Sequence, residues 1–206
     1  MNKTITFNES EISPSKVVCV GRNYADHISE LGNETPSEPV IFLKPNSAVS
    51  HEIYYHETDE IHYEAELSFL IKGGAIVAVG FGIDLTKRLI QSKLKTKGLP
   101  WERAKAFDHS AVFSEFVAVE NGIEDLRLEL YINGELRQQG GCDMMLYSPE
   151  SLLKEINSFM TLVDGDIIMT GTPKGVGLVN KCDVLLGRVF DKNEKKIECN
   201  WQVIVV

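Results

Sequence analysis

Glu64 and Glu66 stand two apart in the run His62-Tyr63-Glu64-Ala65-Glu66-Leu67-Ser68-Phe69-Leu70-Ile71. The apolar, β-prone tail of this run predicts a strand. Alternation across a strand puts Glu64 and Glu66 on one face with His62 and Ser68, and Tyr63, Ala65, Leu67 and Phe69 on the other. Two adjacent carboxylates repel unless something positive sits between them. A divalent cation meets that need, because hard cations prefer oxygen ligands and Mg²⁺ accepts a few carboxylates plus water. The plain structural reading of the same pattern is the wet face of a half-buried strand.

Asp84 could complete a three-carboxylate site from a neighbouring strand, or it could simply cap the helix that follows. Lys87 occupies the position three residues on, so there is no capping box. His27 and Glu30 are three apart, neighbours on one helix face. They read either as a surface pair of little consequence or as a general-base dyad in which glutamate orients histidine. Lys105 is either solvated or placed to stabilise an oxyanion. The loop Gly171-Thr172-Pro173-Lys174-Gly175-Val176-Gly177 lacks the spacing of a phosphate loop or of G-x-G-x-x-G. Its glycines would admit a small anion to the backbone, with Thr170 and Thr172 offering hydroxyls, or would make a tight turn.

The elements that must position these groups follow from pattern. Residues 3–7, 16–20, 40–45, 62–71, 75–82, 112–119, 126–132, 135–139, 167–170, 184–189 and 197–206 are expected as strands. Asn133-Gly134 is a strong hairpin signal and Gly73-Gly74 a turn. A short helix is expected over 25–31, stopped by Gly32. A second is expected over 85–97, where Leu85, Leu89, Ile90 and Leu94 have helical spacing, and one helical turn fits within 101–108. A further helix runs from a Ser148 cap and Pro149 to Met160. Strands outnumber helices without alternating with them, which favours a β-rich α+β fold.

The 206 residues suit one domain over 1–206, with no repeat, low-complexity tract or linker to divide it. A net charge of −9 weighs against a nucleic-acid surface, though a bound cation can invert the field in a cleft. Cys19, Cys142, Cys182 and Cys199 form neither a C-x-x-C pair nor a zinc-like pattern with histidine. The polar N-terminus does not resemble a signal peptide, and no segment approaches the ~20 apolar residues of a membrane span. A reducing, cytoplasmic setting without membrane contact is the default expectation.

Taken together in order, these motifs resemble the fumarylacetoacetate hydrolase family, most closely its small acylpyruvate hydrolase and oxaloacetate decarboxylase members. The resembling runs are Gly21–His27, Pro39–Pro45, His62–Leu67, Asp84-Leu85-Thr86, Lys97–Trp101, Asn133–Gln138 and Thr170–Gly177. The resemblance implies a mixed β-sheet roll, usually a homodimer, with one Mg²⁺ or Mn²⁺ per subunit. By that likeness Glu64, Glu66 and Asp84 would be metal ligands, and His27 and Glu30 a dyad on a mobile lid helix. Lys105 would be the active-site lysine, and Arg22, Gln138 and Thr172 would hold substrate.

Two departures stand out. The segment from Glu66 to Asp84 is shorter than usual, which would leave Asp84 with less local support, and Leu89 replaces a common acidic residue. The implied activity is metal-dependent hydrolysis of a C–C bond in acylpyruvate-type 2-oxo acids, releasing pyruvate and a carboxylic acid. Oxaloacetate decarboxylation would share the site, since both leave the same enolate. The alternatives are a hydratase or isomerase of unsaturated 2-oxo-dioic acids, of the 2-hydroxyhepta-2,4-diene-1,7-dioate isomerase type, and a non-enzymatic β-rich module holding a structural cation.

Overall fold

The computed structural model describes residues 2–30, 36–55, 57, 59–120 and 122–205. The expected helix end at Leu31-Gly32 and the first part of the loop after it lie outside these residues. The principal strands are β1 (Lys16–Gly21), β2 (Val40–Pro45), β3 (Ala65–Lys72), β4 (Ala75–Asp84), β5 (Ala111–Phe113), β6 (Leu126–Ile132), β7 (Glu135–Gly141), β8 (Ile167–Met169), β9 (Val184–Asp191) and β10 (Glu194–Gln202). The helices are α1 (Ala25–Glu30), α2 (Arg88–Thr96), α3 (Glu102–Lys105) and α4 (Pro149–Phe159).

A long curled mixed sheet runs β2-β1-β8-β3-β4-β5 and ends on the short strand Val49–Ser50. β8 is parallel to β1, and β5 is parallel to Val49–Ser50; the other neighbours in this order are antiparallel. A four-stranded antiparallel sheet, β7-β6-β9-β10, closes over it. Its outer hairpins turn at Asn133-Gly134 and around Lys192.

The strand period decides which side chains fill the roll. Ala65, Leu67 and Phe69 of β3 point into the core shared with Phe81, Leu128, Leu130 and Trp201. Each fully buried large side chain there contributes about 1.5–3 kcal/mol. Glu66 and Ser68 take the opposite face, as alternation requires, and Leu70 of that face packs with Cys19, Phe113 and Met169.

Several expectations are corrected. The run 62–71 is not one strand. Ile61–Tyr63 pairs with Thr86–Lys87 and Gly177–Leu178, while β3 begins at Ala65, so the ladder breaks at Glu64. Nor is it a wet face, since every residue from Ala65 to Ile71 is buried. Asp84 caps no helix: it is the last residue of β4, and α2 starts only at Arg88. Residues 112–119 split into β5 and a short strand, Val117–Ala118. The shortened segment between Glu66 and Asp84 is a tight β3–β4 hairpin, with Glu66 opposite Gly82. It supports Asp84 well, for the Asp84 backbone N–H also donates to the Glu64 carbonyl at 2.8 Å.

Candidate active site

Three carboxylates from two places in the chain meet where β3 begins and β4 ends. Glu64, Glu66 and Asp84 are all buried, and one oxygen of each lies within 4.8 Å of the others. The hairpin register brings Glu66 beside Asp84. Glu64 lies just outside the β3 ladder, yet its side chain reaches the same space.

Charge compensation around the three is uneven. The Lys105 ammonium lies 2.8 Å from Glu64 Oε2 and 2.7 Å from Asp84 Oδ2, and donates also to Thr86 Oγ1 at 2.6 Å. Lys105 is buried, contrary to a solvated reading; α3 ends on it and delivers it inward. Burial disfavours its charge, but Asp84 and Glu64 outweigh that and raise its pKa above the ordinary lysine value. Burial likewise pushes the Glu64 carboxyl up, yet Lys105 and Arg88 hold it well below the usual carboxylate range. Arg88 forms a close ion pair with Glu64 Oε1 and donates to Gln91 Oε1 at 2.7 Å.

Glu66 fares differently. Burial, then Asp84 and Glu64, push its carboxyl well above the usual range, and among the described residues the Gly171 N–H alone donates to it, at 2.8 Å. Gly171 has φ +95, a conformation that suits glycine and aims this N–H inward. Behind the acids, the three donors of Lys44 go to the Leu85 and Lys105 carbonyls and Ser110 Oγ. Its nitrogen also sits 2.8 Å from Asp84 Oδ1, an ion pair that compensates this oxygen. Three buried carboxylates whose oxygens converge, the Glu66 carboxyl least compensated of them, make a donor set that fits a hard divalent cation.

The cavity over these acids is narrow, about 40 Å³. His27 is buried on its wall, with Nδ1 3.1 Å from Glu30 Oε2. Glu30 in turn accepts the Gly175 N–H at 3.0 and 3.2 Å, and Asp26 pairs with Lys174 at 2.9 Å. Helix α1 is thereby fastened to the glycine-rich loop. Arg22 follows β1 with φ 58 and also lines the cleft, its Nε buried without a hydrogen-bond partner among the described residues. Phe42 and Trp101, ring centroids 5.7 Å apart, supply an apolar wall.

Of the remaining sequence candidates, Thr172 reaches the cleft, but its hydroxyl donates to the Ala65 carbonyl at 2.8 Å. Gln138 is placed outside the cleft lining. Its amide accepts from Ala65 N at 2.9 Å and donates to Thr172 Oγ1 and the Pro173 carbonyl at 2.8 Å, bracing the strand that carries the acids. Lys44, Thr86, Arg88, Gln91 and Lys95 were not singled out from sequence, although all but Lys44 and Thr86 line the cleft. A lysine inside the apolar run Val40–Pro45 was the one available signal for Lys44.

The family profile described as fumarylacetoacetate (FAA) hydrolase C-terminal matches residues 16–200. This chain belongs to the fumarylacetoacetate hydrolase family. It is 42% identical over 185 positions to the mitochondrial oxaloacetate tautomerase FAHD1 of Bos taurus, covering 81% of this chain and 83% of that protein. It is 40% identical over 189 positions to the oxaloacetate tautomerase YcgM of Escherichia coli, covering 83% and 86%. Among solved structures it is similar to fumarylpyruvate hydrolase from Pseudomonas aeruginosa in complex with Mn²⁺ and pyruvate, at 30% identity and TM-score 0.89, covering 100% of this chain and 97% of that one. The family assignment makes the protein an enzyme acting on a small molecule. Among the described residues, no helix is long and apolar enough to cross a membrane.

Proposed function

We propose that this enzyme interconverts the keto and enol forms of oxaloacetate with the help of a divalent cation. The observation that carries the reading is that His27, backed by Glu30, opens onto the same cleft as the three converging acids. A proton-transfer group thus faces the place where a 2-oxo acid would be anchored. The tautomerases at 40–42% identity support the choice of substrate.

Glu64, Glu66 and Asp84 would hold Mg²⁺ or Mn²⁺ through oxygen. When bound, such an ion supplies Lewis-acid polarisation of the 2-oxo group. His27 Nε2 takes a proton from C3, and the C–H electron pair becomes the C2–C3 double bond while the carbonyl pair moves to the 2-oxygen. The Lys105 ammonium balances charge at that oxygen. The imidazolium, held by Glu30, returns the proton to the 2-oxygen and completes the enol. Arg22 binds carboxylate at the cleft wall, and Gln138 and Thr172 keep Ala65 and the glycine loop in place. Phe42 and Trp101 exclude water from the reacting carbons.

Hydrolysis of an acylpyruvate is a second reading, favoured by the likeness to fumarylpyruvate hydrolase. There the same dyad would activate water instead of carbon. Assays of Mn²⁺-loaded protein separate the two: decay of enol-oxaloacetate absorbance against pyruvate release from fumarylpyruvate or acetylpyruvate. Accelerated enol decay that disappears in His27→Ala is the expected result. Pyruvate release without enol decay would transfer the assignment to hydrolysis, and neither activity would end both readings.

A further inference from the structure

Helices α2 and α3, with the turn between them, form one side of the cleft: Arg88, Gln91, Lys95, Trp101 and Lys105 all line it. This stretch is charged out of keeping with the rest of the chain. Residues 87–105 hold seven lysines and arginines and one acid, Glu102. That segment carries +6 in a chain whose net charge is −9, so the remainder carries −15. An approaching dianion is repelled by the chain as a whole and attracted by this one part of it.

The inner cations of the segment already have acids to answer. Lys105 pairs with Glu64 and Asp84, Arg88 with Glu64, and Lys87 with Asp59 at 2.8 Å. Lys93, Lys97 and Arg103 differ: all three are exposed, and none forms an ion pair among the described residues. The helix dipole accounts for a cation in the last turn of α2, which holds Lys93. It does not account for Lys97, beyond the end of α2, or for Arg103 in the short helix α3. The nine residues of α2 span about 14 Å. Its outer charges therefore act on the cleft over one or two screening lengths, each about 8 Å at physiological salt.

We infer that Lys93, Lys97 and Arg103 form an electrostatic collar that captures anionic substrates, dianions above all, and guides them into the cleft. The inference rests on the anionic 2-oxo acid of the proposed reaction. The three side chains act at a distance and touch no reacting atom, so they set the association rate and leave dissociation and kcat alone.

Trp101 is a built-in reporter, since the other tryptophan, Trp201, is buried in the core. Stopped-flow fluorescence of the Mn²⁺-loaded protein follows capture of oxalate, an unreactive dianion. The association rate should fall about tenfold or more from about 20 to about 300 mM NaCl. Lys93→Glu/Lys97→Glu/Arg103→Glu should lower it by about tenfold or more at low salt, with dissociation within about twofold, and the gap should close at high salt. The milder Lys93→Gln/Lys97→Gln/Arg103→Gln should fall between. Lys72→Glu/Lys154→Glu/Lys195→Glu, at exposed positions outside the cleft lining, changes net charge equally and should cost less than about threefold. With oxaloacetate, reversing the collar should lower kcat/KM and keep kcat within about twofold. A wild-type association rate indifferent to salt, an equal loss in the two reversed proteins, or no oxalate binding at all overturns the inference. Collar-dependent capture by a protein without tautomerase activity upholds the inference while removing the proposed reaction.

Discussion

Glu30 Oε2 lies 3.1 Å from His27 Nδ1 and accepts the Gly175 backbone N–H at 3.2 Å. One carboxylate thus orients the candidate base and ties its helix to the glycine loop. Replacing it by glutamine keeps the size and removes the charge. Glu30→Gln is expected to lower kcat by ~100-fold or more, within the range for general-base catalysis, while Mn²⁺ titration gives wild-type affinity. A kcat within twofold of wild type would remove Glu30 from the dyad.

Gly175 itself tolerates no side chain. Its φ is +99, and a Cβ there would collide with the Arg137 carbonyl oxygen. Gly175→Ala should therefore destabilise the protein by about 1–3 kcal/mol and release α1 from the loop. Thermal melting would show the first effect. The second would appear as faster proteolysis or hydrogen exchange in α1 than in α4.

Metal binding by Glu64, Glu66 and Asp84 predicts a stability effect that does not depend on turnover. Mn²⁺ at 100 times its Kd should stabilise the wild type by about 2.7 kcal/mol. Asp84→Asn and Glu66→Gln should lose this response, and His27→Ala should keep it. A melting temperature indifferent to Mn²⁺ and Mg²⁺ in the wild type would count against the whole site.

Lys44 is a buried ammonium that holds the Leu85 and Lys105 carbonyls and faces Asp84. Lys44→Met leaves those acceptors unpaired and Asp84 less compensated. The expected loss is about 3–5 kcal/mol, the usual consequence of breaking a buried pair from one side, measured by denaturant unfolding. A loss below 1 kcal/mol would show that the contacts of Lys44 are replaceable.

Much of the fold was legible because strand period and turn residues agree. Asn133-Gly134 and Gly73-Gly74 fall at hairpin turns, and the inward set Leu67 and Phe69 follows alternation. The acids were legible because oxygen chemistry is local to residue type. What was not legible depended on long-range context. Leu89 has helical spacing with Leu85 and Leu94, yet it is 62% exposed while Gln91 is buried. Leu94 is buried as its spacing predicts, but part of the inner face of α2 looks onto a polar cleft, so Gln91 takes a buried place that apolar periodicity does not mark. Asp84 reads as a cap until Ala111 is seen pairing with it and Lys44 packing behind it.

A pH effect is expected far from the cleft. Asp166 is buried and accepts from Ser15 Oγ, from the Ser15, Lys16 and Val163 backbones, and from the Lys16 ammonium. Burial would raise its carboxyl, but these donors lower it instead. A folded-state value below the unfolded one, about 3.9, contributes stability in full above that pH. The contribution is lost as pH falls through the folded value. Asp166→Asn should be less stable at pH 7, and the difference should shrink towards pH 2. Parallel curves for the two proteins would mean that Asp166 is not the group responsible.

Because Lys44, Arg88 and Lys105 already compensate two of the three acids from within the chain, a newly made polypeptide need not wait for its ion to complete the roll. Purification in chelator should yield a natively shaped but idle protein, which recovers on simple addition of salt without any renaturation step.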